Sequence, residues 1–91
     1  MQYLLTCKVA DNEEIQIGNY DNIVNFASFS DVMYAALDYK KLYYTAVNEF
    51  QATVKNTANS TYGTLVWQLT FKDSENNQIL ISIYQKEDNN G

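Results

Sequence analysis

An amphipathic helical pattern in the middle of the chain constrains the fold more than any other feature. Apolar residues recur three and four positions apart from Val32 to Val54, and at about 100° per residue they fall on one stripe. Ser30 is a favourable N-cap, and Asp31 suits the positive end of the helix dipole. We therefore expect one long helix over residues 30–56. Its stripe consists of Val32, Ala35, Ala36, Tyr39, Leu42, Tyr43, Ala46, Val47, Phe50 and Val54.

Both ends of the chain alternate apolar and polar residues with a period of two, which is typical of β-strands. The two N-terminal runs are separated by a polar turn and predict a hairpin over residues 2–18. The two C-terminal runs flank a turn rich in Asp and Asn, and they predict a second hairpin over residues 63–86. Residues 19–29 fit neither period, so a short helix, a short strand and an ordered loop all stay open. Residues 87–91 are polar and are expected to be frayed.

These elements predict a single α+β domain over residues 1–91, with the order ββαββ. A lone hairpin is unstable in water, so we expect one four-stranded antiparallel sheet with the helix packed on one face. The strand residues expected to meet the helix are Tyr3, Leu5, Cys7, Ile15, Ile17, Leu65, Trp67, Leu69, Phe71, Ile79, Ile81 and Ile83.

The sequence lacks the residues that most catalytic and metal sites use. There is no His and no Arg, which removes the usual general base, the commonest metal ligand and the arginine finger. Cys7 lies in an alternating run and is interpreted as a core thiol rather than a nucleophile. The acidic turn of Asp11, Glu13 and Glu14 is interpreted as solvated rather than as a calcium or acid–base site. We expect no enzymatic activity, no catalytic residues, no cofactor and no metal.

The charge balance disfavours nucleic acid and membranes as direct partners. Asp and Glu number 11 against six Lys, for a net charge of −5, whereas nucleic-acid binding depends on cations that neutralise phosphates. No apolar run approaches the length of a membrane span. A single cysteine favours a reducing compartment. We therefore expect a cytoplasmic protein, in the host-cell cytoplasm if the chain is phage-encoded.

Four residues of the expected helix form a candidate partner-binding patch. Met33, Tyr34, Leu37 and Tyr44 lie outside the core stripe, and Tyr and Met are enriched at protein interfaces. The alternative is that residues 19–29 fold back and cover them. Both interpretations stay open at this point.

The face of the sheet away from the helix is expected to be half apolar. Leu4, Val66, Leu80 and Tyr84 would share it with polar residues, whereas a solvated sheet face normally alternates more cleanly. A homodimer packed sheet to sheet, or a partner lying across the strands, would suit this mixture. An ordinary solvated face is the alternative.

These expectations favour a small acidic protein-binding module, an inhibitor of a larger macromolecular target. The composition, dense in Asn, Tyr and Lys without Arg, resembles short reading frames of phages and mobile elements, whose small proteins are often anti-defence inhibitors. The alternative function is a self-assembling structural subunit, such as a component of a phage particle. The identity of the protein partner does not follow from the sequence.

Overall fold

The protein folds into one antiparallel sheet with one helix, as seen in a computed structural model that describes residues 2–59 and 61–86. The elements are β1 (Gln2–Val9), β2 (Ile15–Ile17), α1 (Phe29–Tyr43), β3 (Gln51–Asn59), β4 (Gly63–Lys72) and β5 (Gln78–Lys86). The sheet has five strands in the order β2-β1-β5-β4-β3. The expected α+β class is confirmed, but the four strands and the ββαββ order are wrong, because a fifth strand follows the helix.

Both predicted hairpins are present, and they pair with each other in the middle of the sheet. β1 pairs with β2, β4 pairs with β5, and the central pair joins β1 to β5. In that central pair Leu5 lies opposite Ile83 and Cys7 lies opposite Ile81. The two ends of the chain therefore build the centre of the sheet together.

Helix α1 begins earlier and ends much earlier than the predicted span of residues 30–56. Ser28, not Ser30, is the N-cap: its backbone is extended and its hydroxyl accepts the Asp31 N–H at 3.5 Å. At the other end Tyr44 leaves the helical conformation, with φ −134° and ψ 48°, and its N–H donates to the Lys40 carbonyl at 2.8 Å. No helix in the described part of the chain is long and apolar enough to cross a membrane.

Residues 51–56 of the predicted helix belong to strand β3, after a connection over residues 44–50, and the apolar residues of this part of the chain fit two periods at once. Phe50 and Val54 are four apart, as on a helix, but with Ala52 they also alternate, as on a strand. In the sheet Ala52 lies opposite Leu69 and Val54 lies opposite Trp67. Pairing with a long neighbouring strand outweighs the helical pattern, and β-branched residues around Val54 favour it.

The core lies between α1 and the side of the sheet that faces it. Its buried members are Leu5, Cys7, Ile17, Phe26, Val32, Ala35, Ala36, Trp67, Leu69, Phe71, Ile79, Ile81 and Ile83. Two predicted core residues lie elsewhere. Ile15 is exposed at the start of β2. Leu65 lies opposite Tyr84, because a bulge between Leu65 and Trp67 shifts the strand by one residue and turns Leu65 to the other face.

The ambiguous segment before the helix is an ordered loop. Phe26 is buried and exchanges two backbone hydrogen bonds with Tyr3, at 2.8 and 3.0 Å. The Asn19 side chain accepts the backbone N–H groups of Asp21 and Ile23, which closes a tight turn. The loop is thereby held beside helix α1. Residues 87–91, which were expected to fray, lie outside the described residues.

Candidate functional site

A groove runs between the loop of residues 18–27 and one flank of helix α1. It contains two adjoining cavities of about 430 Å³ each, which share Asn19, Tyr20, Ala35 and Asp38 in their walls. We term it the acidic groove and define it by the polar and aromatic residues that line it: Tyr20, Asp21, Asp31, Tyr34, Asp38 and Tyr43.

The shape of the acidic groove follows from small residues on both of its walls. On the loop side, a Cβ on Gly18 would lie 2.7 Å from the Ile23 carbonyl oxygen, so only glycine allows the turn to close this tightly. The turn presents Tyr20 at its tip, 70% exposed. On the helix side Ala35 is the buried residue that both cavities share, and its methyl group leaves the space between loop and helix open.

The groove combines negative charge with exposed aromatic rings. Three carboxylates line it, those of Asp21, Asp31 and Asp38, and none of the described residues lining the two cavities is a lysine. Tyr34 and Tyr43 are 64% and 63% exposed. A cation is attracted both to a carboxylate and to the face of an aromatic ring. The groove is therefore suited to positively charged groups.

The four residues of the predicted partner-binding patch lie in two different environments. Met33 and Tyr44 are half-buried against the core, and the Tyr44 ring packs on Phe71 with centroids 5.1 Å apart. Tyr34 and Leu37 are exposed, so residues 19–29 do not cover them. Tyr34 lines the acidic groove. Tyr34 thus belongs to the candidate site, Leu37 lies exposed on the same helix, and Met33 and Tyr44 pack inward.

Sequence reasoning missed the other members of the groove. Leu42 and Tyr43 were assigned to the core stripe, yet they are half exposed or more and line the cavity beside the loop that follows β2. Asp38 was not among the residues assigned to the stripe, and Tyr20 lies in the segment whose structure was left open. The available signal was the polar, Asn-rich composition around Tyr20, which is typical of an exposed turn.

On the face of the sheet away from α1, Glu14 is the centre of a hydrogen-bond network. Its carboxylate accepts the Thr6 hydroxyl at 2.6 Å and the Tyr84 hydroxyl at 2.7 Å, and its backbone carbonyl accepts the Tyr62 hydroxyl at 3.2 Å. Burial, together with the bond to Glu14, raises the pKa of Tyr84 above its ordinary value. Thr6 is fully buried. The acidic turn therefore contributes one carboxylate to a structural network.

The network around Glu14 lies on the half-apolar face of the sheet, away from α1. Leu4 and Tyr84 are buried although α1 packs on the other side, and the Tyr62 ring lies against Tyr84 with centroids 5.3 Å apart. Val66 packs against the core cluster instead. The chain itself covers much of the surface that was considered for a homodimer packed sheet to sheet.

Cys7 lies in the core, as its position in the alternating run predicted. It is 2% exposed. Burial raises the pKa of its thiol above the ordinary value, although hydrogen bonds with Tyr39 and Tyr44 oppose that shift. In the described residues no three acidic, cysteine or histidine side chains lie close enough together to hold a metal ion.

Comparison of the chain with protein-family models, with curated proteins and with solved structures finds no match.

Proposed function

We propose that this chain is a protein-binding module without enzymatic activity, and that the acidic groove holds a basic segment of a larger protein. The observation that supports the proposal most is the combination of three carboxylates with exposed tyrosine rings, without a lysine among the described residues that line the groove. The negative charge of the whole chain adds long-range attraction for a positively charged partner.

Lysine and arginine side chains fit such a groove in two ways at once. Their apolar stems pack along tyrosine rings, while their charged heads reach carboxylates. A single exposed cation–π contact contributes only about 0.5–1 kcal/mol, and an exposed ion pair about 0–1 kcal/mol. Useful affinity therefore requires several contacts, so we propose an extended basic segment that spans both cavities rather than one isolated side chain.

This binding mode supports the role of an inhibitor. A basic surface on a larger macromolecule commonly serves to hold nucleic acid, because lysine and arginine neutralise phosphates. A small acidic domain that occupies that surface would compete with the nucleic acid. We propose that the chain acts in this way on its target, of the anti-defence type encoded by phages or mobile elements, in the host-cell cytoplasm.

A self-assembling structural subunit is the second candidate function. The observation in its favour is the outer edge of β3, since β4 is the only described strand that pairs with β3. Such an edge promotes association between chains. An open-ended assembly would need a second, complementary edge, and the opposite edge strand β2 has only three residues. The binding module is therefore preferred.

Site-specific photo-crosslinking tests the proposed function. A photoreactive phenylalanine analogue replaces Tyr20 or Tyr34 in cells that naturally produce the chain, with Glu75 in the exposed β4–β5 turn as the control position. We expect the two groove positions to capture the same protein. Capture should be lost with the additional substitution Asp38→Lys and kept with Asp11→Lys. Equal capture from Glu75, or none from the groove, would contradict the proposal.

A further inference from the structure

The outer edge of β3 has the properties of a surface that pairs with another strand. β3 forms one end of the sheet, and within the described part of the chain only β4 pairs with it. Natural edge strands are usually short or are protected by charges and prolines. β3 has nine residues, no proline and a single charge, Lys55. Among the described residues nothing pairs with its outer row of backbone donors and acceptors, which is therefore available for a partner strand.

Apolar side chains accompany this open edge on the helix-facing side. Val54 is 84% exposed and Phe50 is 50% exposed, because α1 packs over β1 and β5 and does not reach β3. Val54 lies opposite the core residue Trp67, and the Lys40 ammonium lies 4.8 Å from the Phe50 ring centroid, which places both on the helix side. Ala52 lies between them on the same face. An edge partner would cover this exposed strip.

We propose that two copies of this chain pair antiparallel through β3, about a two-fold axis at Ala52. Residues directly opposite each other in an antiparallel pair share a face, and each contact occurs twice across a two-fold axis. With Ala52 opposite itself, Phe50 of one copy faces Val54 of the other on the helix side. Glu49 then faces Lys55 of the other copy, so every pair is either apolar or oppositely charged, apart from the polar pair of Gln51 and Thr53.

The register follows from the sequence of the strand. Moving the two-fold axis by one residue along the strand changes the residue opposite each position by two. Shifts of two keep the apolar side chains on one face, so they are the alternatives to compare. Centring the axis on Thr53 would place Glu49 opposite Thr57, and centring it on Gln51 would place Glu49 opposite Thr53. Either shift separates the charges and breaks the pairing of Phe50 with Val54.

The proposed register uses β3 up to its bulge. The pairing of β3 with β4 is regular up to Val54 and becomes irregular between Val54 and Thr57. β3 begins at Gln51, so Glu49 and Phe50 directly precede the strand and Lys55 directly follows its regular part. A bulge twists a strand edge and limits further pairing. In the proposed register Gln51 to Val54 pair as regular strand, and Glu49, Phe50 and Lys55 extend the pairing at its two ends.

The resulting dimer would be closed. The open β3 edges of the two copies pair with each other, and the two sheets join into one ten-stranded sheet with both helices on the same side. The acidic groove lies between α1 and the loop that follows β2, at the far end of each sheet, so it stays free in the dimer. The interface is thus independent of the proposed function, and each can fail without the other.

Charge-reversal variants test the dimer by light scattering after size exclusion. We expect the wild-type chain to run as a dimer. Glu49→Lys and Lys55→Glu should each raise the dimer dissociation constant by about tenfold or more, because each places like charges opposite each other twice. Mixing these two variants pairs opposite charges again, so a heterodimer should form. A wild-type monomer at all concentrations, or a mixture that stays monomeric, would overturn the proposal.

Cysteine substitutions test the register. In the proposed pairing Ala52→Cys places two thiols directly opposite each other, within reach of a disulfide after a small adjustment. Gln51→Cys and Thr53→Cys are the matched controls, since each would cross-link only in a shifted register. Cys7 is buried and does not compete. Cross-linking of Ala52→Cys alone supports the proposal, and preferential cross-linking of either control, or none of the three, overturns it.

Discussion

At the scale of single residues, Glu14 connects parts of the chain that are distant in sequence. Its carboxylate accepts hydroxyl groups from Thr6 on β1 and from Tyr84 on β5. Thr6 is fully buried and Tyr84 is 4% exposed, so neither hydroxyl can turn to solvent when its acceptor is removed. Hydrogen bonds to a charged acceptor are stronger than neutral ones. Glu14 therefore contributes to stability although it lies in an acidic turn.

Replacing Glu14 by Gln should destabilise the protein by about 1–2 kcal/mol, because both hydroxyls donate to the same carboxylate oxygen and a neutral amide oxygen is a weaker acceptor for two buried donors. Glu13→Gln is the matched control: the residue is exposed, and the substitution removes the same charge. We expect that control to stay within about 0.5 kcal/mol of the wild type. Urea unfolding of the three proteins measures the difference. Equal unfolding midpoints for both variants would contradict the structural role of Glu14.

The sequence predicted the positions of residues but not this contact. The face to which Tyr84 points follows from strand alternation, and Tyr84 was assigned to it. The bond to Glu14 depends on β1 and β5 being neighbours, which brings together residues 70 apart in the chain. Alternation within a hairpin carries no information about which hairpin edges meet. The acidic turn therefore gave no signal beyond exposed charge.

At the scale of elements, Lys40 holds the connection between α1 and β3. Its ammonium donates to the Val47 carbonyl at 2.7 Å and lies 4.8 Å from the Phe50 ring centroid and 5.7 Å from that of Phe71. A cation in the last helical turn also suits the negative end of the helix dipole. These contacts bend residues 44–50 back toward the sheet, so that β3 can pair with β4.

We expect Lys40→Met to destabilise the protein by about 1–2 kcal/mol, since it removes a charge-assisted hydrogen bond and the cation–π contacts. Lys41→Met removes the same charge from the same helical turn at an exposed position and should change stability by less than about 0.5 kcal/mol. Thermal unfolding compares the two variants. Amide exchange in β3 should accelerate in Lys40→Met alone, and unchanged exchange there would contradict the role of Lys40.

Elements with one unambiguous period were predictable, whereas the element with two periods was not. The hairpins at both ends alternate without a competing helical pattern, and both are present. From Phe50 to Val54 the spacing fits a helix and a strand equally, and no glycine or proline marks the end of α1. What ends the helix is the contact of Lys40 with Val47 and the pairing of β3 with β4. Both are tertiary interactions that local patterns do not contain.

At the scale of the whole molecule, the sheet separates two candidate surfaces. The acidic groove lies at the β2 end, between the loop of residues 18–27 and α1, and the open edge of β3 lies at the other end. Predicting the groove would have required knowing where the loop of residues 18–27 runs. Among the groove residues, only Tyr34 was therefore predicted as a partner contact. Under the two proposals, the groove would set the chemistry of a partner and β3 would set the number of copies that present it.

Titration with a short peptide of alternating arginine and serine, followed by amide chemical shifts, tests the central claim about the groove most directly. The same peptide with glutamate in place of arginine is the negative probe, and Asp38→Lys is compared with Asp11→Lys, which changes the net charge equally outside the groove. We predict shifts around Tyr20 and Asp38 with the arginine peptide alone, lost in Asp38→Lys and kept in Asp11→Lys. Equal weakening in both variants, or shifts spread over the whole surface, would show nonspecific attraction and contradict the claim.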